Sequence, residues 1–197
     1  MMQQSLLRVT EGTDVLGKWE AIWFDEGHQH MLMLRKSWIY RWQTGSFNAE
    51  SDLLFKAPNE IKKEDVKLAK LSLDSKILAL QKNSTSIVVH DLIRNNFWNV
   101  QIKSPNDNII LEGGVFWSEH GGGSEDLIIV TTRGLELYKI SSQRNQCKLS
   151  RTISQGFSVH AHYWYEPNFR VMMMASPLKA SPNSARFQRT WICECLD

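Results

Sequence analysis

Val115-Phe116-Trp117-Ser118-Glu119, then Leu127-Ile128-Ile129-Val130, then Leu135-Glu136-Leu137-Tyr138 is the stretch whose reading decides the fold. An aromatic strand runs into a polar turn, and a dense apolar strand follows. Leu127 to Val130 has no polar side, and a strand of that kind must be covered on both faces. Leu135 to Tyr138 alternates instead, which predicts a third strand with one wetter face.

The same pattern recurs along the chain. One copy is Ile22 to Glu26, Met31 to Leu34 and Trp38 to Trp42. A second is Leu71 to Ser75, Ile77 to Leu80 and Ile87 to Asp91, and a last one is Tyr163 to Pro167 followed by Val171 to Met174. With Phe24, Leu73, Trp117 and Tyr165 as equivalent anchors, the copies are separated by 49, 44 and 48 residues. Propeller blades recur about every 40 to 50 residues. Asp52 to Lys56, Phe97 to Ile102 and Lys148 to Ile153 supply a fourth strand to three of the copies, and four short strands make a blade. The spacing therefore predicts an all-β chain, an incomplete β-propeller of about four WD-repeat-like blades. Residues 1–197 are read as a single partial propeller domain with blade-like units near 19–56, 66–102, 109–153 and 159–197. A small β-sandwich is the rival that similar strand spacing would also build.

The segments between strands support the division. Ala57-Pro58-Asn59-Glu60, Ser104-Pro105-Asn106-Asp107-Asn108 and Gly121-Gly122-Gly123-Ser124 carry turn chemistry. Glu60 to Lys70 has too irregular an apolar spacing for an amphipathic helix and reads as a loop running into a strand. The last copy dissolves after Met174 into the Ser- and Pro-rich Ala175 to Ala185. The chain is therefore expected to be part of a ring, such as a truncated or splice form. An unpaired blade edge and an uncovered apolar face would make it self-associate.

Composition sets the class. The chain has 197 residues, 42% hydrophobic and 22% charged, with eight Trp and eight Phe. It can bury a core, and its large aromatics favour sheets. A net charge of +2 is too small to argue for a nucleic-acid groove or an anionic membrane. Three cysteines, Cys147, Cys193 and Cys195, do not form a disulfide framework and read as free thiols. Met1 to Thr10 lacks the apolar core of a signal peptide, so a reduced, cytosolic setting is expected. In that setting the Asn83-Ser84-Thr85 acceptor triplet goes unglycosylated.

No residues assemble into a catalytic set. His120-Gly121-Gly122-Gly123-Ser124 resembles an oxyanion-hole loop, where glycines bring backbone N–H groups to an anion, with Ser124 as the nucleophile of a hydrolase. It has no nucleophile elbow beside it and reads as a blade loop. His28-Gln29-His30 with Glu26, and His160-Ala161-His162, pair imidazoles at zinc-compatible spacing without third and fourth ligands. Cys193-Glu194-Cys195 lacks the two-residue gap of zinc and redox motifs. Lys62-Lys63 and Lys67 to Lys70 form a mild basic, solvated edge. No catalytic, cofactor or metal residues are expected, and the chain is read as a protein-binding scaffold.

Val66 to Leu92, VKLAKLSLDSKILALQKNSTSIVVHDL, together with Glu125 to Tyr138, resembles the N-terminal propeller of the colon-cancer-associated Mic-like family, also called the regulator of the Mon–Ccz complex. The likeness covers residues 15 to 176, with Phe24-Asp25-Glu26 and His162 to Tyr165 at similar blade starts. Members of that family are longer and end in a helical region. The resemblance implies a non-catalytic scaffold subunit of the Mon–Ccz guanine nucleotide exchange complex for the late-endosomal (Rab-seven type) GTPase. It implies the Mon and Ccz subunits as partners, the GTPase indirectly, and no nucleic acid. It also implies a cytoplasmic protein held on late endosomes, lysosomes or vacuoles through its partners, acting in trafficking and autophagy. An unrelated propeller adaptor, such as a coat component or ubiquitin-ligase receptor, is the alternative function.

Overall fold

The computed structural model describes residues 21–24, 30–35, 38–43, 52–56, 66–72, 74–120, 124–153, 157–165, 170–177 and 190–195. All regular structure among them is strand. Two compact units are present, with the boundary between Lys63 and Glu64.

The first unit holds one antiparallel meander: β1 (Ala21–Phe24), β2 (His30–Arg35), β3 (Trp38–Gln43) and β4 (Asp52–Lys56), hydrogen-bonded in that order. Leu32, Met33 and Leu34 of β2 are all buried, so neighbouring residues on opposite faces are both covered. Residues 25–29, which include Glu26 and His28, lie outside the described residues, as do Lys62 and Lys63.

The second unit holds three meanders. The first is β5 (Leu68–Leu71), β6 (Ile77–Gln81), β7 (Ser86–Asp91) and β8 (Asn96–Gln101). Next comes β9 (Ile110–His120), β10 (Ser124–Thr131), β11 (Gly134–Ser141) and β12 (Gln146–Ile153). The last is β13 (Phe157–Tyr165), β14 (Arg170–Pro177) and β15 (Thr190–Cys195). Consecutive strands paired in sequence order are the construction of a blade, so the all-β, blade-type reading of the sequence holds. Within the stretch read as a loop leading into a strand, β5 is the strand, and residues 60–65 lie outside the described residues.

Two cores enclose the middle sheet. Leu127 and Ile129 of β10 belong to a cluster with Ile77, Ala79, Ile87 and Val89 of the preceding sheet. Ile128 and Val130 belong to a second cluster with Val159, Met173 and Ala175 of the following sheet. The alternation of the strand sends successive side chains to opposite faces, and each face meets a neighbouring sheet. All four residues are fully buried, a contribution of about 1.5–3 kcal/mol each relative to exposure.

The wetter strand is not the one the sequence indicates. β11 is buried from Gly134 to Tyr138, including Glu136. The alternating exposure falls on the fourth strands, β8 and β12, where apolar residues alternate with Asn, Gln, Lys, Ser and Arg. Glu136 goes inside because it has partners there, described below.

β9 is bent into place by two glycines. Gly113 has φ +68° and open space around its Cβ position. At Gly114 a Cβ would sit 2.9 Å from the carbonyl oxygens of Leu111 and Val130. The register between β9 and β10 shifts here, between Ile129 and Thr131, which is the local signature of a bulge. Gly114→Ala is expected to lower stability by about 1–3 kcal/mol through overpacking, whereas Gly113→Asn, which tolerates positive φ, stays within about 1 kcal/mol of the parent. Thermal melts of the two variants check this.

Candidate protein-binding groove

The seam between the β5–β8 and β9–β12 sheets is closed by polar groups inside an apolar interface. Trp117 is buried and its indole Nε1–H donates to the Lys70 carbonyl at 3.2 Å. The Tyr138 hydroxyl donates to Glu136 Oε2 at 2.7 Å, with the Gln101 carbonyl oxygen 3.3 Å away. Glu136 Oε1 accepts the Lys103 backbone N–H at 2.9 Å. Burial, and then the Glu136 carboxylate, push the Tyr138 phenol well above its ordinary pKa, so it stays a donor. A buried carboxylate is tolerated because both its oxygens are hydrogen-bonded.

At one end of the seam, Asn108 ties two loops together. Its Nδ2 donates to the Lys103 carbonyl at 3.1 Å, while its Oδ1 accepts from the Thr132 hydroxyl and the Arg133 N–H, both at 3.1 Å. Nearby, the Ile110 N–H donates to the Ser84 carbonyl and the Val159 N–H to the Thr132 carbonyl.

At the other end three hairpin turns surround an open groove of about 780 Å³. The β5–β6 turn is built by Ser72, whose hydroxyl donates to Asp74 Oδ1 and accepts the Ile77 N–H, each at 2.9 Å. The β7–β8 turn is held by Asp91, whose Oδ1 accepts the Ile93 and Arg94 N–H groups at 3.0 Å. Asp91 Oδ2 has no partner in good hydrogen-bond geometry, but the Ser142 hydroxyl of the β11–β12 turn is near enough to act on the carboxylate. Burial alone would raise the pKa of Asp91; the hydrogen bonds from Arg94, Ser142 and Ile93 outweigh it and hold the group below its ordinary value. Asn95 and Asn145 close the β7–β8 and β11–β12 turns at φ 56° and 49°, a conformation that asparagine tolerates better than most residues.

The groove is basic. Lys76, Arg94, Lys139, Arg144 and Lys148 line it, against Asp74 and Asp91. Asp74 is taken up by Lys76 at 2.6 Å, and Asp91 is buried in its turn. Ile93, 72% exposed, stands on the β7–β8 turn as the most exposed large hydrophobic residue among those described.

His160 and His162 of β13 do not converge. His160 meets the Ser176 hydroxyl at 2.6 Å, whereas His162 packs edge-on to Phe116 at 5.5 Å, so the two imidazoles do not share a site. They are parted by a register shift between Val159 and Ala161. His120 and Ser124 are opposite partners at the end of the β9–β10 hairpin, and Gly121 to Gly123 lie outside the described residues. His30 pairs with Gln43 across β2 and β3. Cys193 and Cys195 pair with Met172 and Arg170. Cys147 is a free thiol that burial pushes up to about 11. Asn83 Oδ1 accepts the Thr85 N–H at 2.8 Å within its own turn. No group of three or more His, Cys, Asp or Glu among the described residues could hold a metal ion. No helix among them is long and apolar enough to cross a membrane.

Blade-type sheets, each an antiparallel meander paired in sequence order, define a fold of the propeller class. Residues 22–147 match the family model described as Regulator of MON1-CCZ1 complex, N-terminal, and the chain belongs to that family. The human Regulator of MON1-CCZ1 complex is 24% identical over 159 residues, which span 79% of this chain and 22% of that protein. The mouse protein is 23% identical over the same span. The chain thus spans about a fifth of the length of these relatives. Among solved structures, the WD40 domain of SCAP from fission yeast is similar at a TM-score of 0.48 and 11% identity, covering 88% of this chain and 43% of that one. Hsv2 of Kluyveromyces lactis is similar at a TM-score of 0.44 and 9% identity, covering 87% and 48%.

Two measurements test the seam and its turns. Tyr138→Phe is expected to cost about 1–3 kcal/mol, because Glu136 loses a buried donor. A double-mutant cycle with Glu136→Gln should give a coupling of at least about 0.5 kcal/mol by denaturant titration. The second measurement is a pH series. Burial lowers the pKa of His90 below 6.5, against the opposing Asn95 hydrogen bond and Asp91 charge. Burial likewise lowers that of His162, against a hydrogen bond that the imidazole makes to the Gly113 backbone. The unfolded chain then binds protons before the folded one does, so stability falls as pH drops below the ordinary value of 6.5. The midpoint of thermal unfolding should decline from neutral to acid pH, with a shallower slope in the His90→Asn, His162→Gln double variant.

Proposed function

We propose that this chain is a non-catalytic scaffold that works with the MON1-CCZ1 complex. The family match over residues 22–147 carries the reading. It is supported by a fold that spends its polar groups on joining sheets and presents its turns as a surface. In this role the chain contributes blades to a subunit of the guanine nucleotide exchange complex for the late-endosomal (Rab-seven type) GTPase. It acts in endosome-to-lysosome or vacuole trafficking and autophagy, and it reaches those membranes from the cytoplasm through its partners. Propeller modules suit such work because rigid sheets hold variable loops in fixed positions.

The test is a tagged pull-down from cells, run in parallel with the full-length human relative. Recovery of the MON1 and CCZ1 proteins by both baits is the expected result. Recovery by the relative alone would overturn the reading for this chain.

A further inference from the structure

We infer that the groove between the β5–β8 and β9–β12 sheets is a docking site for an extended, acidic segment of a partner protein carrying at least one apolar side chain. The inference does not depend on which complex the chain joins. Among the described residues, five cationic side chains and two carboxylates line the groove, a net charge of +3. One carboxylate, Asp74, already pairs with Lys76, and the other, Asp91, is 1% exposed and bound to its own turn. Among residues whose side chains are described, no carboxylate lies within 4 Å of the Arg94, Lys139, Arg144 or Lys148 head groups. These four cations are exposed and come from two different sheets. They face one concavity from both walls, where their fields add.

The rest of the lining selects the class of occupant. Gln143, Gln146 and Ser150 offer donors and acceptors that a peptide backbone can use. Ile93 projects beside them and provides a contact for an apolar side chain. The volume lies within the roughly 300–1,000 Å³ range of ordinary binding clefts. Among the described residues, no aromatic side chain lines the groove, so these residues offer none of the stacking platforms that single-stranded nucleic acids use. Its concave form is matched by a segment that enters it better than by a flat lipid surface. Charge complementarity of this kind acts on partner choice and on the rate of encounter.

The experiment uses the whole 197-residue chain and fluorescence anisotropy with a labelled peptide of about ten residues, rich in Asp and Glu and containing two Leu. The comparison peptide replaces Asp and Glu by Asn and Gln. The acidic peptide is expected to bind at least about tenfold more tightly than the neutral one, and its affinity to fall as salt is raised from about 50 to about 300 mM. The Arg94→Ala, Lys148→Ala double variant should lose at least about tenfold in affinity, and Ile93→Ser about threefold. Lys82→Ala, an exposed lysine outside the groove, should bind as the parent does. Exposed groove positions are chosen so that folding survives, and an unchanged melting curve verifies it. Equal binding of both peptides, no binding of either, or full affinity in the double variant would overturn the inference. So would binding to phosphatidylserine vesicles that depends on Arg94 and Lys148 in a chain that ignores the acidic peptide.

Discussion

The packing of the second unit depends on a run within β10, Leu127 to Val130, that has no polar side. Four consecutive residues, Leu127 to Val130, are fully buried, and alternation sends them in pairs to two separate cores. A strand built this way is stable only when a sheet lies against each side. The neighbouring sheets are thus required by the middle one. The chain supplies them as further copies of the same meander, which is how repeat architectures bury faces that one copy cannot bury alone.

Apolar contact brings the sheets together but does not set their register, since hydrophobic burial is non-directional. The polar groups along the seam do that. Trp117 reaches the Lys70 carbonyl, and Tyr138 and Glu136 reach Gln101 and Lys103. Each of these bonds has a defined geometry and joins residues more than thirty positions apart. Sliding one sheet against the other would strand a buried carboxylate, a phenol and an indole together. The groove inherits its shape from this locking, because its two walls belong to the two sheets.

The strand pattern was legible because it is local. Asp52 to Lys56 is β4 to the residue, and Ile77 to Leu80 is β6 less one residue. The continuous apolar run of β10 announces its own two-sided burial. What escaped is non-local. Glu136 reads as the polar member of an alternating strand, and only the Lys103 N–H and the Tyr138 hydroxyl make its burial sensible. Asn108 reads as one more turn residue, yet it joins the loop before β9 to the β10–β11 turn. The groove was invisible for the same reason. Its cations are scattered from Lys76 to Lys148 and meet only when the turns of two sheets are side by side. His160 and His162, two residues apart in the sequence, are set apart by the register shift between Val159 and Ala161.

The bulges in two of the fourth strands, β4 and β12, have a consequence for how such a chain meets copies of itself. Between β3 and β4 the register slips at Ile39 and Tyr40, and between β11 and β12 it slips at Leu137 and Tyr138. In both sheets the outermost strand therefore carries one residue more than its partner can match, and it bends and twists there. A foreign strand laid along that border would keep its ladder for only part of the strand before falling out of step. The irregularity lets a sheet end among many like chains without becoming a template for fibre growth.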